Sequence, residues 1–223
     1  MPVRVVEFTV ERSDGASMRN SKGMPIEIAL PDVPFLPWIG DNYASSPIRL
    51  LVLGESHYNS KPTEQPTNKY TIETWDEYLK DPTGKFWTNI VQVVSSKAKG
   101  ECDINNTVHG FAFYNYCNKI VGAGPRIAPS STAWKESRPD FDLVLDFIKP
   151  THILVLGQRL WNNLKEDAQG AEVKIGGRSK KICYFRASGL LAPTLPINHP
   201  SGGFSWQAER PWVEELLRQS YGT

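Results

Sequence analysis

Apolar runs alternate with amphipathic segments along most of the chain, which predicts strands and helices in turn. Nearly continuous apolar runs occupy residues 48–53 and 152–157, a pattern typical of parallel strands that are covered on both faces. Two further strands are predicted over residues 111–116 and 193–198. Because parallel strands are joined by crossover connections, this order indicates an α/β fold.

The segments between the strands carry apolar residues at helical spacing. Residues 139–148 place apolar side chains at i, i+3, i+4 and i+7, namely Phe141, Val144, Leu145 and Ile148. Further helices are predicted over residues 71–80, 85–97, 207–219 and directly after residue 157. Two short β-like runs, 173–175 and 181–185, flank Gly176-Gly177 and predict a hairpin.

Together these elements predict a three-layer α/β/α fold with a central, mostly parallel four-stranded sheet and a small hairpin. We expect a single domain over residues 1–223. Within it, residues 1–47 form an irregular lead-in with one possible strand over residues 3–10, and residues 48–220 form the core.

Two polar segments follow predicted strands directly. The first is Gly54-Glu55-Ser56-His57-Tyr58, and the second is Asn198-His199-Pro200-Ser201-Gly202-Gly203. Ligands of open α/β sheets bind outside the carboxyl ends of the parallel strands. We therefore expect the two segments, although remote in sequence, to meet in one crevice.

Several side chains at these strand ends have chemistry to offer. Glu55 either orients or deprotonates a water molecule, or accepts backbone N–H bonds from the next loop. His199 either donates to an anionic leaving group and acts as an acid or base, or closes a turn. Asn115 offers a donor and an acceptor to an amide-like ligand, or is an ordinary turn residue.

The loop that follows His199 is rich in small residues and ends in aromatic ones. Ser201, Gly202 and Gly203 either bring backbone N–H groups to a phosphate or form a plain turn. Phe204 and Trp206 either wedge into a base stack or anchor the loop in the core.

Composition narrows the class of protein. The net charge of +1 gives no sign of a polyanion-coating or acidic disordered chain. Three cysteines, at 102, 117 and 183, without C-x-x-C spacing argue against a disulfide framework or a zinc knuckle and favour a cytoplasmic location. The N-terminus does not look like a signal peptide, and no apolar stretch is long enough to span a membrane.

In their order along the chain, these motifs resemble the uracil-DNA glycosylase superfamily. Residues 54–58 stand where that family carries its first motif after a strand, and they resemble its glutamate-containing variant. His199-Pro200-Ser201 matches the family's later His-Pro-Ser motif, and residues 113–117 are similar to its strand with a base-reading asparagine. The family's proline in the first motif is replaced here by Ser56-His57, and the four cluster-binding cysteines of some branches are missing.

The resemblance implies hydrolysis of the N-glycosidic bond of a flipped-out uracil or related base in DNA, without metal or cofactor. We expect the protein to be a monomer. Glu55 and His199 would be catalytic. The base would be bound by Gly54, Ser56, His57, Tyr58 and Asn115, and the DNA by Ser201, Gly202, Gly203 and Phe204. The aromatic residue that stacks on the base stays open between Tyr58, Tyr70, Phe86 and Trp87.

Two other functions stay open. The chain would be a non-catalytic binder of nucleic acid or nucleotide if the altered first motif has lost its chemistry. Alternatively, Gly54-Glu55-Ser56 resembles the first block of SGNH-type esterases, with Ser56 as nucleophile and His199 as base. Pro196 stands where that family has an aspartate, which argues against this second alternative.

Overall fold

A mixed β-sheet with helices on both faces organises the described residues. The structure is a computed structural model, and it describes residues 32–59, 66–124, 127–201 and 203–221. These residues belong to one unit, which spans residues 31–223. The strand predicted over residues 3–10, most of the predicted lead-in and Gly202 lie outside the described residues, so the single domain over residues 1–223 stays a prediction.

Seven strands make up the sheet within the described residues. They are β1 (Trp38–Ile39), β2 (Leu50–His57), β3 (Phe111–Ile120), β4 (His152–Leu156), β5 (Ala168–Ile175), β6 (Arg178–Ala187) and β7 (Leu190–Ile197). Their spatial order is β1-β3-β2-β4-β7-β6-β5. The neighbours β3, β2, β4 and β7 pair in parallel, whereas β1, β6 and β5 are antiparallel to the strands beside them. The predicted α/β class is confirmed.

The sheet is larger than the four-stranded sheet expected from the sequence. The predicted hairpin is present, and its strands are longer than the two short apolar runs suggested. Its strand β6 pairs along β7, with Cys183 opposite Thr194, so the hairpin continues the main sheet. A strand edge has unpaired N–H and C=O groups that need partners. The apolar pattern of β6 does not show which edge will supply them.

Six helices lie in the described residues. They are α1 (Tyr70–Lys80), α2 (Lys85–Ser95), α3 (Ile104–His109), α4 (Ser131–Ile148), α5 (Gln158–Asn163) and α6 (Trp206–Arg218). The short helix α3 was not predicted, although its cap is readable, because Asp103 accepts a hydrogen bond from the Asn106 amide at 2.9 Å.

Helix α4 begins well before the predicted start at Pro139. Its cap is Ser130, whose hydroxyl accepts a hydrogen bond from the Ala133 amide at 3.1 Å. Pro139 therefore lies inside the helix and removes one backbone donor. Proline alone was a misleading start signal because the serine cap upstream already fixes the first turn.

The sheet separates two hydrophobic cores. Leu51 and Leu53 pack in one core with α4, whose predicted inward residues are all buried. Leu50 and Val52 point to the other core, which contains Trp75 of α1 and side chains of α2 and α6. Alternate residues of β2 thus enter opposite cores, which explains its nearly continuous apolar sequence.

Asn118 of β3 ties the segment before β1 to the sheet. Its side-chain oxygen accepts a hydrogen bond from the Phe35 amide at 3.0 Å, and its Nδ2 donates to the Asp140 carboxylate at 3.3 Å. Asn118 is only 2% exposed. Loss of this side chain would leave a backbone N–H without its partner, which costs more than an exposed hydrogen bond.

We predict that Asn118→Ala lowers the free energy of unfolding by about 1–3 kcal/mol. Urea denaturation followed by tryptophan fluorescence measures the change. Asn42→Ala is the matched control, because Asn42 is exposed and has only a long side-chain contact, at 3.5 Å, with Asn106. Equal stability of the two variants would contradict the structural role of Asn118.

Candidate active site

The carboxyl ends of three adjacent parallel strands bring the two predicted catalytic residues to one edge of the sheet. Leu53 of β2 lies opposite Val155 of β4, and Leu156 of β4 lies opposite Ile197 of β7. Glu55 comes two residues after Leu53, and His199 comes two residues after Ile197. The structure therefore brings them to the same end of the sheet, with the end of β4 between them.

Glu55 is held by an arginine that the sequence analysis did not select. Arg159 Nε donates to Glu55 Oε2 at 2.7 Å, and Arg159 Nη2 donates to the other carboxylate oxygen. The Glu55 side chain is 11% exposed and that of Arg159 is 48% exposed. The hydrogen bonds to Glu55 raise the pKa of Arg159. Such a two-point contact fixes the orientation of the carboxylate.

Arg159 could have been found with the rule that selected Glu55. It is in the first turn of α5 and follows β4 almost directly, as Glu55 follows the buried part of β2. A polar side chain at this place faces the edge of the sheet where ligands bind. Only acid, hydroxyl and imidazole side chains enter the strand-end prediction, and a guanidinium group is none of these.

The imidazole of His199 lies against the backbone of Gly157. A Cβ at residue 157 would be 3.2 Å from His199 Cβ and 3.3 Å from its Cδ2, and the φ of Gly157 is 103°. Both the backbone conformation and the close approach therefore favour glycine. On another side the ring of Phe86 faces the imidazole, with ring centroids 5.3 Å apart.

The charge state of His199 follows from these neighbours. Desolvation by the surrounding protein atoms lowers the pKa of His199 although the residue is exposed, and the positive charge of Arg159 lowers it further. The negative charge of Glu55 raises this pKa and only partly offsets the two other effects. The imidazole is therefore mainly neutral at pH 7 and has an N–H to donate.

A buried carboxylate holds the loop that carries His199. Glu209 of α6 is 1% exposed and accepts hydrogen bonds from both the backbone N and the Nδ2 of Asn198, at 3.2 and 2.9 Å. Arg178 and Lys180 of β6 also bind Glu209, at 2.9 and 3.2 Å. On the other side of His199, Asn89 Nδ2 donates to the Pro200 carbonyl at 3.1 Å. The histidine is thus fixed from both sides along the chain.

The predicted base-reading asparagine is buried under a histidine of the first motif. Asn115 and His57 are each 7% exposed, and Asn115 Nδ2 lies 3.2 Å from both ring nitrogens of His57. The second polar contact of His57 is with Thr71 Oγ1, at 2.8 Å from its Nε2. The Asn115 side chain packs directly against the backbone of Gly54. A Cβ at residue 54 would be only 2.1 Å from Asn115 Oδ1, so a larger residue does not fit there.

Aromatic rings enclose His57. The rings of Phe35 and Tyr70 each have their centroid 5.0 Å from that of His57. Burial lowers the pKa of His57 to about 4, so the ring is neutral at pH 7. The two remaining aromatic residues that were predicted to stack on the base differ in their packing. Tyr58 is 46% exposed, whereas Trp87 packs against Trp75 with ring centroids 4.6 Å apart.

The other predicted residues are placed as follows. Ser56 is partly exposed and pairs in register with Cys117, and within the described residues no hydrogen bond joins its hydroxyl to a histidine. The Ser201 amide donates to the His199 carbonyl at 2.7 Å, and the Phe204 amide donates to Ser201 at 3.3 Å. Phe204 and Trp206 both pack at the margin of the core that contains α6, so both aromatic side chains are anchored there.

Two comparisons with known proteins were negative. No protein-family model matches the chain, and a search of curated proteins finds no match. Within residues 32–59, 66–124, 127–201 and 203–221, no three His, Cys, Asp or Glu side chains cluster as metal ligands do. In the same ranges, no helix has the length and apolar character needed to cross a bilayer.

We predict that His57 makes folding sensitive to acid. Its folded-state pKa is about 4 and its ordinary value is 6.5, so below pH 6.5 the unfolded chain binds more protons. The contribution of the neutral His57 ring to the free energy of unfolding is therefore complete above pH 6.5. About 3 kcal/mol of it is lost as the pH falls to about 4. Urea unfolding at pH 7 and pH 4 should show a smaller loss in His57→Gln than in the wild type. Identical losses would contradict the buried neutral imidazole.

We predict that Glu209→Gln lowers the free energy of unfolding by about 3 kcal/mol, because it leaves two cations around a neutral side chain. Release of the loop should also let the pKa of His199 rise towards its ordinary value, which NMR titration of the imidazole measures. Glu214→Gln on the same helix is the control, since the side chain of Glu214 is 41% exposed and its ion pair with Arg210 joins two residues of the same helix. A His199 titration unchanged in Glu209→Gln would contradict the positioning role.

Proposed function

We propose that this protein hydrolyses the N-glycosidic bond of a flipped-out uracil or related base in DNA, as the uracil-DNA glycosylase superfamily does. One observation carries the proposal. A fixed carboxylate, Glu55, and a mainly neutral imidazole, His199, meet at the carboxyl edge of the parallel strands. Departure of an anionic base from a sugar is favoured by both kinds of group.

The chemistry assigns a different task to each group. Glu55, oriented by Arg159, positions a water molecule at the sugar C1′ and accepts its proton. The water oxygen forms a bond to C1′ while the bond from C1′ to the base nitrogen breaks, and its electron pair leaves with the base. The N–H of His199 donates to the base oxygen that gains the negative charge. A donor of this kind contributes about 3–4 kcal/mol in a site that excludes water.

The order of the motifs in space supports the same proposal. The first motif ends β2, the asparagine lies on the neighbouring strand β3, and the His-Pro-Ser motif follows β7 on the other side. The four parallel strands are the part of the sheet that we expect to correspond to the family's core. A flipped nucleotide would enter across their carboxyl edge, at a cost of a few kcal/mol for unstacking.

One observation favours the alternative of a nucleic-acid or nucleotide binder without catalysis. The amide of Asn115 is occupied by His57, which is one of the two residues that replace the family's proline. A base can bind Asn115 only if His57 moves away. Ser56 gains no comparable support as an esterase nucleophile, since its hydroxyl has no described bond to a histidine.

Uracil release is the direct test. We expect the wild-type protein to release uracil from a U:G duplex and from single-stranded DNA, as measured by alkaline strand cleavage. Glu55→Gln should slow the reaction by roughly 10²–10⁴-fold, and His199→Gln should slow it by roughly 10²–10³-fold. Glu101→Gln is the control, because Glu101 is exposed and lies outside the site.

The contradicting outcomes differ for the two candidate functions. Folded wild-type protein that releases no uracil at enzyme excess would remove the catalytic proposal. Tight binding of the same uracil-containing DNA without strand loss would support the binder instead. Thermal unfolding of each variant shows that the comparison is made between folded proteins.

A further inference from the structure

The hairpin of β5 and β6 reaches the same edge of the sheet as the candidate site. Strand β6 runs antiparallel to β7, with Cys183 opposite Thr194, so the start of β6 lies near the end of β7. The turn at Gly176-Gly177 joins β5 and β6 at this end. Arg178, the first residue of β6, binds the same Glu209 that holds Asn198. The hairpin tip is therefore next to the loop of His199.

The tip carries an excess of positive charge. Residues 172–181 contain Lys174, Arg178, Lys180 and Lys181 and one acidic residue, Glu172, which lies opposite Lys181 across the hairpin. The buried carboxylate of Glu209 is shared between Arg178 and Lys180, so one negative charge faces two positive ones. This local excess is not visible in the net charge of +1 for the whole chain.

Three of these cations are accessible to a partner. The side chain of Lys174 is 76% exposed, and its nearest carboxylate is Glu172 at 3.9 Å, itself 59% exposed. Such a surface pair is weak and easily exchanged. Lys181 is exposed, bonds to the neutral side chain of Gln169 and is within electrostatic reach of the Glu166 carboxylate. The side chain of Arg178 is 46% exposed.

The base of the tip is fixed rather than loose. Lys180 Nζ donates to the Pro196 carbonyl at 2.7 Å and lies 4.4 Å from the ring centroid of Trp212. The guanidinium of Arg178 lies 5.6 Å from the same ring. At the turn itself, a Cβ on Gly176 or Gly177 would meet nothing within 4 Å. Cations held on a rigid frame lose little entropy on binding an anion.

We propose that this hairpin tip binds the phosphate backbone of nucleic acid, through Lys174 and Lys181 on one face of the hairpin and through Arg178 beside the turn. The inference rests on the nucleic-acid substrate of the proposed function, but not on catalysis. The tip is next to the loop of His199, so a strand whose nucleotide enters the site continues past it. A lipid surface fits less well, because the turn consists of two glycines and offers no large apolar side chain for insertion.

Salt-dependent binding of an undamaged, fluorescein-labelled DNA duplex tests the proposal. The variant Lys174→Gln/Lys181→Gln removes two tip charges and leaves Arg178 on Glu209. The control Lys97→Gln/Lys99→Gln removes the same charge from two exposed lysines that follow α2. Helix α2 begins near His199 and is roughly 16 Å long, so these lysines lie at its far end.

We expect the tip variant to lower the slope of log K against log salt by roughly two, with a roughly ten- to hundredfold weaker binding at 0.1 M salt. The control variant should keep the wild-type slope. A tip variant with the slope of the control would overturn the proposal. Wild-type protein that binds phosphatidylserine vesicles but not the duplex would overturn it in favour of a lipid surface.

The test separates this inference from the proposed activity. A protein that binds the duplex through the tip and releases no uracil would keep the hairpin proposal and lose the catalytic one. A protein that releases uracil with the same salt slope in the wild type and the tip variant would lose only the hairpin proposal.

Discussion

The parallel pairing of β2, β4 and β7 is the constraint on which the candidate site depends. Parallel strands end on the same side, so residues that follow them must emerge at one edge whatever their distance in sequence. Glu55 lies near the end of β2, Arg159 follows β4 and His199 follows β7, and the three side chains lie within electrostatic reach of each other. A one-residue slip in β2 would turn Glu55 to the opposite face of the sheet.

A second constraint is the buried charge of Glu209. Removing a carboxylate from water costs several kcal/mol, which close partners must compensate. Here two cations and two N–H groups of Asn198 supply that compensation. The arrangement joins three elements that are far apart in sequence, namely α6, β6 and the loop after β7. The position of the loop that carries His199 therefore depends on how α6 and β6 pack around Glu209.

Sequence patterns predicted the parts of this molecule that depend on local rules. The strand over 48–53 was found because burial on both faces leaves an uninterrupted apolar run, and the hairpin was found because two glycines favour its turn. The size of the sheet was not found, since the pairing of β6 with β7 is a long-range choice. The predicted start of α4 was too late, because Pro139 was taken as the first residue of the helix although Ser130 caps it further upstream.

The location of the candidate site could be predicted from the sequence, but the contacts of its side chains could not. The strand-end rule selected Glu55 and His199, and the structure places both at one edge. The same rule missed Arg159, because it was applied to acids and bases and not to their partners. The cover over Asn115 could not be predicted, since it depends on Phe35, Tyr70 and Thr71 meeting around His57 in three dimensions.

Glu55 and His199 on one side of the candidate site and Asn115 on the other therefore differ in their accessibility to a ligand. Glu55 and His199 are already oriented and reach the surface, whereas Asn115 is closed off by a neutral, enclosed imidazole. A ligand that binds Asn115 must first displace His57 from Thr71 and from two aromatic rings, and this cost reduces its apparent affinity. The cost is the same for every ligand that binds there, so discrimination between ligands has to come from contacts made after His57 has moved. The cover over Asn115 thus affects ligand recognition, whereas Glu55 and His199 are positioned without any movement of His57.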